Sequence, residues 1–346
     1  MNTNQPIESL HTHTTLSDGK LSHKQMFELS ESLGVSVVAF TDHDAVLNDE
    51  AISYLESVST SKTKWISGIE ISAAPPKEIE GLGKGGLHII GLFVDPKNTA
   101  LKEHCQKAQA SRIERMKKIV SNLHALGFIV SEEDCLNASG GETVGRPHIV
   151  EAINSHPENE EVMKKLLAEM EEDSRTNTRT KIKYDAMMEA GAYQYPYVLF
   201  LSHDAYRPAY ADVTYAPDLD QTTTLIRNAG GVSIIAHYFT VKKKMPFPFI
   251  EKLLAEKRID GMETVYGLWH VGKNDEQELE EEKNTIRELL TKYNGLATGG
   301  PDAHTEEDMR LYAGLSDFAA LSIGMAEKVL AFCKKNDISM KTSLVI

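Results

Sequence analysis

The residues best placed to do chemistry are His11 and His13, separated by one threonine. In an extended segment residues i and i+2 point the same way, so both imidazoles can face one ion. Asp18 follows in the same loop, just before Gly19. Further donors stand within, or just beyond, other apolar runs. Asp42, His43 and Asp44 follow VSVVAFT, Glu70 sits in KWISGIEI, His88 in LHIIGLF, His237 ends VSIIAH, and Asp302 and His304 follow LATGG. Imidazole with carboxylate suits Zn, Mn or Fe, and one carboxylate can bridge two ions. The set therefore has donors for two or three divalent metals.

The elements that must position these donors can be read from the same runs. Residues 7–10, 35–41, 64–71, 87–94, 232–236, 259–265 and 296–298 predict strands. Residues 21–34, 97–126, 285–293 and 325–335 predict helices, the first with Ser22 as N-cap, Gln25 three residues on and Gly34 as terminator. Strands alternating with helices favour a parallel sheet or barrel, whose C-terminal strand ends carry the site. Residues 99–222 break the alternation and read as a mostly helical insertion between segments 1–98 and 223–346. Within it, residues 157–183 read as an exposed helix followed by a mobile connection.

The 346 residues hold 37 basic against 51 acidic side chains, a net charge of −14. Such a surface repels a long duplex nucleic acid and leaves metal ions to receive any phosphate-bearing ligand. No apolar run approaches the ~20 residues of a membrane span. The first ten residues, MNTNQPIESL, show no basic start and no apolar stretch, so neither a membrane association nor a secretory leader is expected. Cys105, Cys135 and Cys333 are far apart and odd in number, which points to a reducing, cytoplasmic setting.

HTHTTLSDG at 11–19, TDHD at 41–44, GIE at 68–70, IAH at 235–237 and PDAH at 301–304 together resemble the ordered motifs of the PHP family, the polymerase and histidinol phosphatase family of metal-dependent phosphoesterases. GRPH at 145–148 and RPAY at 207–210 are similar to the branch that hydrolyses nucleotides, which includes 5′-nucleotidase and 3′,5′-bisphosphate nucleotidase phosphatases. Tyr238 and Pro301 depart from the family's usual flanks, proline and serine. The resemblance implies an α/β fold, a distorted (β/α)7 TIM-like barrel with an inserted helical domain acting as a lid. It implies one metal on His11, His13, Glu70 and Asp302, and a second bridged by Glu70 and completed by His88 and His237. Asp18, His43 and His304 would hold a third.

On this reading the substrate is a small phosphorylated molecule, a nucleotide or a short oligonucleotide end. Arg146 and Arg207 would clamp its phosphate oxygens bidentately, and His148 or His304 would protonate the leaving oxygen. Two rivals remain at this point: a histidinol-phosphate phosphatase, and a metal-bound regulatory module without turnover. Blander readings cover the other candidates. His23, His104, His124, His156 and His270 read as structural or surface residues. Asp42 and Asp44 either orient His43 or solvate a loop, and Glu263 either faces the site or does not. Lys242–Lys244 and Glu276–Glu282 read as solvated runs, and residues 81–86 as a flexible turn.

Overall fold

A computed structural model describes residues 6–79, 83–140 and 143–338. Gly81 and Leu82 of the expected glycine-rich turn lie outside the described residues, as do the first five residues. The chain divides into two compact units, Met1–Ala108 with Tyr215–Ile346, and Gln109–Thr214. These boundaries fall inside the 99–222 segment. The helix Thr99–Ala125 begins in the first unit, and Pro217 and Asp218 already pair with Ala74 of that unit.

The first unit is built on seven strands: β1 (Ile7–Ser9), β2 (Val35–Phe40), β3 (Lys64–Ala73), β4 (Leu87–Leu92), β5 (Val232–Ile235), β6 (Gly261–Val265) and β7 (Leu296–Gly299). Their order in the sheet is their order in the chain. Beyond β1 and β7 the two ends of the sheet bond to each other. The Leu10 N–H donates to the Gly299 carbonyl (3.2 Å), the His13 N–H to Ala303 (2.8 Å) and the Ala303 N–H to His11 (3.4 Å). The result is the distorted (β/α)7 barrel. Every residue of β5 and β6 is buried, as strands covered on both faces require. Val37, Ala39, Ile66, Ile90, Leu92 and Ile234 share one buried apolar cluster, and Ile69, Ile71, Ile89 and Ile235 share another.

One expectation fails. β4 runs antiparallel to both β3 and β5, so the sheet is mixed rather than parallel. A parallel return needs a crossover of a dozen or more residues, usually a helix, and the short link between β3 and β4 has none among its described residues. The reversal decides where His88 lies. It starts a strand while its neighbours end theirs: Ser72 is its register partner in β3, and the Ala236 N–H, just past β5, donates to its carbonyl (3.1 Å).

Local chemistry accounts for the helices. Ser22 and Gln25 form a reciprocal cap at the start of His23–Ser32, a device worth about 1 kcal/mol, and Met26, Phe27 and Leu29 form its buried stripe. The expected helix at 285–293 is the second half of Glu276–Tyr293, and its acidic start is not uniformly solvated. Glu282 is buried and accepts from the Tyr266 hydroxyl (2.5 Å), with Lys242 at 3.2 Å.

The second unit packs short helices around Met116, Ile119, Leu123, Ile149, Leu199 and Phe200. The expected mobile connection is instead a second helix. Asn159–Ser174 is followed by Thr178–Ala190, with the Asn177 side chain accepting from the N–H groups of Arg179 and Thr180. Only Thr180 and Met187 of that helix are buried, which leaves almost no apolar periodicity to read.

Candidate metal centre

The chain leaves β1 still extended, and the alternation of side chains does the sorting. Thr12 turns away from the centre and donates its hydroxyl to the Ala39 carbonyl (2.5 Å), while His11 and His13 meet with their Nε2 atoms 3.1 Å apart. The next turn is braced by Asp42, which accepts from the Thr14 N–H (2.7 Å) and the Ser17 hydroxyl (2.7 Å). Gly19 closes it, because a Cβ there would stand 2.4 Å from the His13 carbonyl oxygen. Asp18 is thereby held against the histidines.

Glu70 is the hub. It lies inside β3, fully buried, and its two oxygens face different imidazoles. Oε2 lies 3.4 Å from His11 Nε2, 3.2 Å from His13 Nε2 and 3.0 Å from His43 Nδ1. Oε1 lies 2.9 Å from His88 Nδ1 and 3.1 Å from His237 Nε2. Asp302 Oδ1 approaches His11 (3.3 Å) and His13 (3.1 Å), and Asp18 Oδ1 approaches His304 Nε2 (3.4 Å). All nine expected donors thus meet in the first unit. Their closest groupings are His11, His13 and Glu70; His43, Glu70 and His88; and His13, Asp18, His43 and His304. His43 and His13 each fall in two groupings, a closer sharing than the ligand sets implied by the resemblance.

The backbone bends to deliver some of these groups. His237 (φ 25°) and Asp302 (φ 54°) occupy the left-handed region that non-glycine residues rarely adopt, a cost accepted mostly at functional positions.

The electrostatics favour cations. Burial alone would raise Glu70, but His43, His88 and His11 outweigh it and hold its carboxyl well below the usual range. Asp18 and Asp302 are lowered in the same way, against burial, by His43 and by His11 respectively. Burial works against charge on His304, yet Asp18 and Asp302 push it up to about 10. Glu70 Oε2, Asp18 Oδ1, Asp302 Oδ1 and His88 Nδ1 are buried without a hydrogen bond. Such a concentration of unsatisfied lone pairs is what divalent ions resolve, so the donor set fits about two or three of them.

Some supporting residues escaped the sequence reading, or were left open there. Glu263 does not join the ring of donors. It stands behind it, with Oε1 2.9 Å from His11 Nδ1 and Oε2 accepting the His237 N–H (2.7 Å). Asp44 accepts the Ser72 N–H (3.0 Å) and lies 3.3 Å from His104, whose other nitrogen meets the Tyr215 hydroxyl. Asp308 Oδ2 accepts from the N–H groups of His304 (2.9 Å) and Thr305 (2.7 Å). The signal for Asp308 was present: Thr305 and Asp308 form a capping box at the start of Glu306–Gly314.

Of the four residues expected at phosphate and leaving group, His304 lies in the first unit and Arg146, His148 and Arg207 in the second. Arg146 lies over the Tyr197 ring, its guanidinium carbon 5.6 Å from the centroid. Arg207 is half exposed, 4.7 Å from the Tyr206 centroid and 3.6 Å from Glu169. His148 is buried, and its Nδ1 accepts the Gly145 N–H (3.0 Å) at the start of its helix.

Residues 9–340 match the family model described as the PHP domain. The chain belongs to the PHP family. Among similar proteins are a phosphoribosyl 1,2-cyclic phosphate 1,2-diphosphodiesterase from Eggerthella lenta (30% identical, over 44% of this chain and 55% of the relative) and a 5′-3′ exoribonuclease from Haemophilus influenzae (35% identical, 40% and 47%). A 3′,5′-nucleoside bisphosphate phosphatase from Chromobacterium violaceum is 27% identical over 34% of this chain and 39% of its own length. The chain spans about half the length of the curated relatives it matches. Among solved structures, a putative metal-dependent phosphoesterase from Bifidobacterium adolescentis shares the PHP fold with a TM-score of 0.59 at 22% identity, covering 87% of this chain and 89% of its own. An amidohydrolase from Chromobacterium violaceum, solved with bound sulfate and no metal, reaches 0.55 at 19% identity, over 86% and 87%. Among the described residues no helix is long and apolar enough to cross a membrane.

Proposed function

We propose that the chain hydrolyses phosphate esters of nucleotides or of short oligonucleotide ends. One observation carries the reading: the buried Glu70 offers one oxygen to His11, His13 and His43 and the other to His88 and His237. A carboxylate so flanked could serve a cation on either side rather than only one. His11, His13, Asp18, His43, Glu70, His88, His237, Asp302 and His304 would hold the ions. Bound Mn, Fe or Zn would supply an activated water near neutral pH and neutralise phosphate oxygens.

The chain's own residues do the rest. Glu263 fixes the His11 ring through Nδ1, which leaves Nε2 directed at the centre. Asp308 fixes the loop of His304. Arg146 and Arg207 are the proposed clamps on the phosphate. His148, whose Nδ1 accepts from the Gly145 N–H, is the proposed proton donor to the leaving oxygen. His304 is the alternative donor. Nucleotide-related names among the relatives support this substrate class, and the RPH and RPAY segments favour it over histidinol phosphate.

The test joins elemental analysis of the purified chain to a phosphate-release panel. About two or three divalent ions per chain are expected, with faster release from nucleoside monophosphates, bisphosphates or short oligonucleotides than from histidinol phosphate. Full metal occupancy with no hydrolysis of any phosphate ester would overturn the activity and favour a non-catalytic module.

A further inference from the structure

The chain has two tryptophans, and they are held differently. Trp65 is partly buried, with its indole N–H on the Leu55 carbonyl (3.1 Å). Trp269 is 53% exposed, although its indole N–H is also engaged. It sits in a short turn, Leu268–His270, that follows β6 at the end of the barrel where the donors gather. Its Nε1–H donates to Asp308 Oδ1 (3.1 Å), and the other oxygen of the same carboxylate accepts the backbone N–H of His304. The indole therefore stands one carboxylate away from an expected donor loop, with its edge anchored and much of its ring open.

The neighbouring turn continues the aromatic surface. The Phe239 ring lies 6.2 Å from the His237 ring, 5.4 Å from His270 and 5.9 Å, stacked, from Tyr266. His270 is fixed in turn by Asp275 (2.6 Å). Phe239 thus links the His237 ring to that of His270, the residue next to Trp269 in its turn. An indole held by its N–H and open on its ring joins a large apolar face to a fixed orientation, the combination an aromatic contact with a ligand needs. On a chain of net charge −14, an uncharged contact adds affinity for an anionic substrate without calling on further cations.

We infer that Trp269 is a stacking platform for the nucleobase of the substrate. The inference rests on the nucleotide reading above and narrows it: the base is gripped by its π-face, which every base has, so selection acts for the presence of a base rather than its identity.

The test uses the full chain loaded with Mn²⁺ in a Trp65→Phe background, so that emission reports Trp269 alone. Adenosine 3′,5′-bisphosphate and ribose 5-phosphate serve as probes. Quenching by the nucleotide and none by ribose 5-phosphate is expected. Trp269→Ala should raise KM for the nucleotide roughly tenfold while changing kcat/KM for ribose 5-phosphate less than about twofold, and Trp269→Phe should restore most of the loss. Equal effects on both probes, or no quenching by the nucleotide, would overturn the platform. Base-dependent quenching in a protein that hydrolyses neither probe would uphold it and sink the phosphoesterase reading instead.

Discussion

Two buried glutamates of the barrel make opposite use of burial. Glu8 lies in β1 and Glu70 in β3, and both are at least nine-tenths shielded from solvent. Glu8 Oε1 accepts from the Gly324 N–H (3.0 Å) and Oε2 from the Ala326 N–H (2.7 Å), at the start of the helix Met325–Lys335. Its carboxylate completes a helix N-terminus and is satisfied by donors that cannot leave. Glu70 faces imidazoles instead, and its Oε2 has no hydrogen bond. Burial raises the Glu8 carboxyl in spite of those backbone donors, whereas the histidines drive Glu70 far the other way. Burial of a charge therefore does not mark chemistry by itself. What the charge faces decides whether it holds the fold together or awaits a ligand.

The largest effect that would break this contrast is at Glu70. Glu70→Gln should cut phosphate release by roughly 10³-fold and lower the bound metal, read by turnover and elemental analysis together. Retained activity would reduce Glu70 to a second structural carboxylate. Glu8→Ala should do the reverse, costing about 2 kcal/mol and lowering Tm by roughly 4–8 °C in calorimetry, with metal content per folded chain unchanged. Between the two lies Glu263, which is buried like both but touches His11. Glu263→Gln should weaken metal affinity by about 10- to 100-fold in a chelator competition, with a smaller loss of Tm than Glu8→Ala.

A partly exposed carboxylate sharpens the comparison from outside, with the smallest effect. Ser131 and His156 lower Asp134 to about 2, from an ordinary value of 3.8. Because the folded value is depressed, its contribution is present above pH 3.8 and is lost as pH falls from there toward about 2. Asp134→Asn should therefore destabilise the chain by no more than about 0.5 kcal/mol at neutral pH, after solvent screening. The difference from the wild type should vanish near pH 2 in acid unfolding curves.

Most of the nine expected donors stand where local sequence defines a position, past a strand end or in an i, i+2 pair, while Asp18 in its turn, Glu70 inside β3 and His88 at the start of β4 were expected through the resemblance. Their supports were less legible. Glu263 acts through His11, far away in the chain, and nothing near a glutamate in a strand says which face it presents, whereas Asp308 acts on His304 four residues before it, through a local capping box. His88 looked out of place mid-run because strand direction is a tertiary property, and only the reversal of β4 brings it to the right end. Thr178–Ala190 was missed because two buried residues make no stripe. Glu282 was misread because a charge run can hide one member that a distant tyrosine holds.

The reversed strand has one more consequence. Leu92 at the end of β4 and Val232 at the start of β5 are register partners, so two strands adjoin that a tight two-residue turn would suffice to join. Everything from 93 to 231 is topologically the loop of a β-hairpin. Closure entropy grows only with the logarithm of loop length, so the sheet is nearly indifferent to how long that excursion becomes. The part of it that forms the second unit, residues 109–214, could therefore be lengthened, trimmed or replaced without disturbing the register on either side.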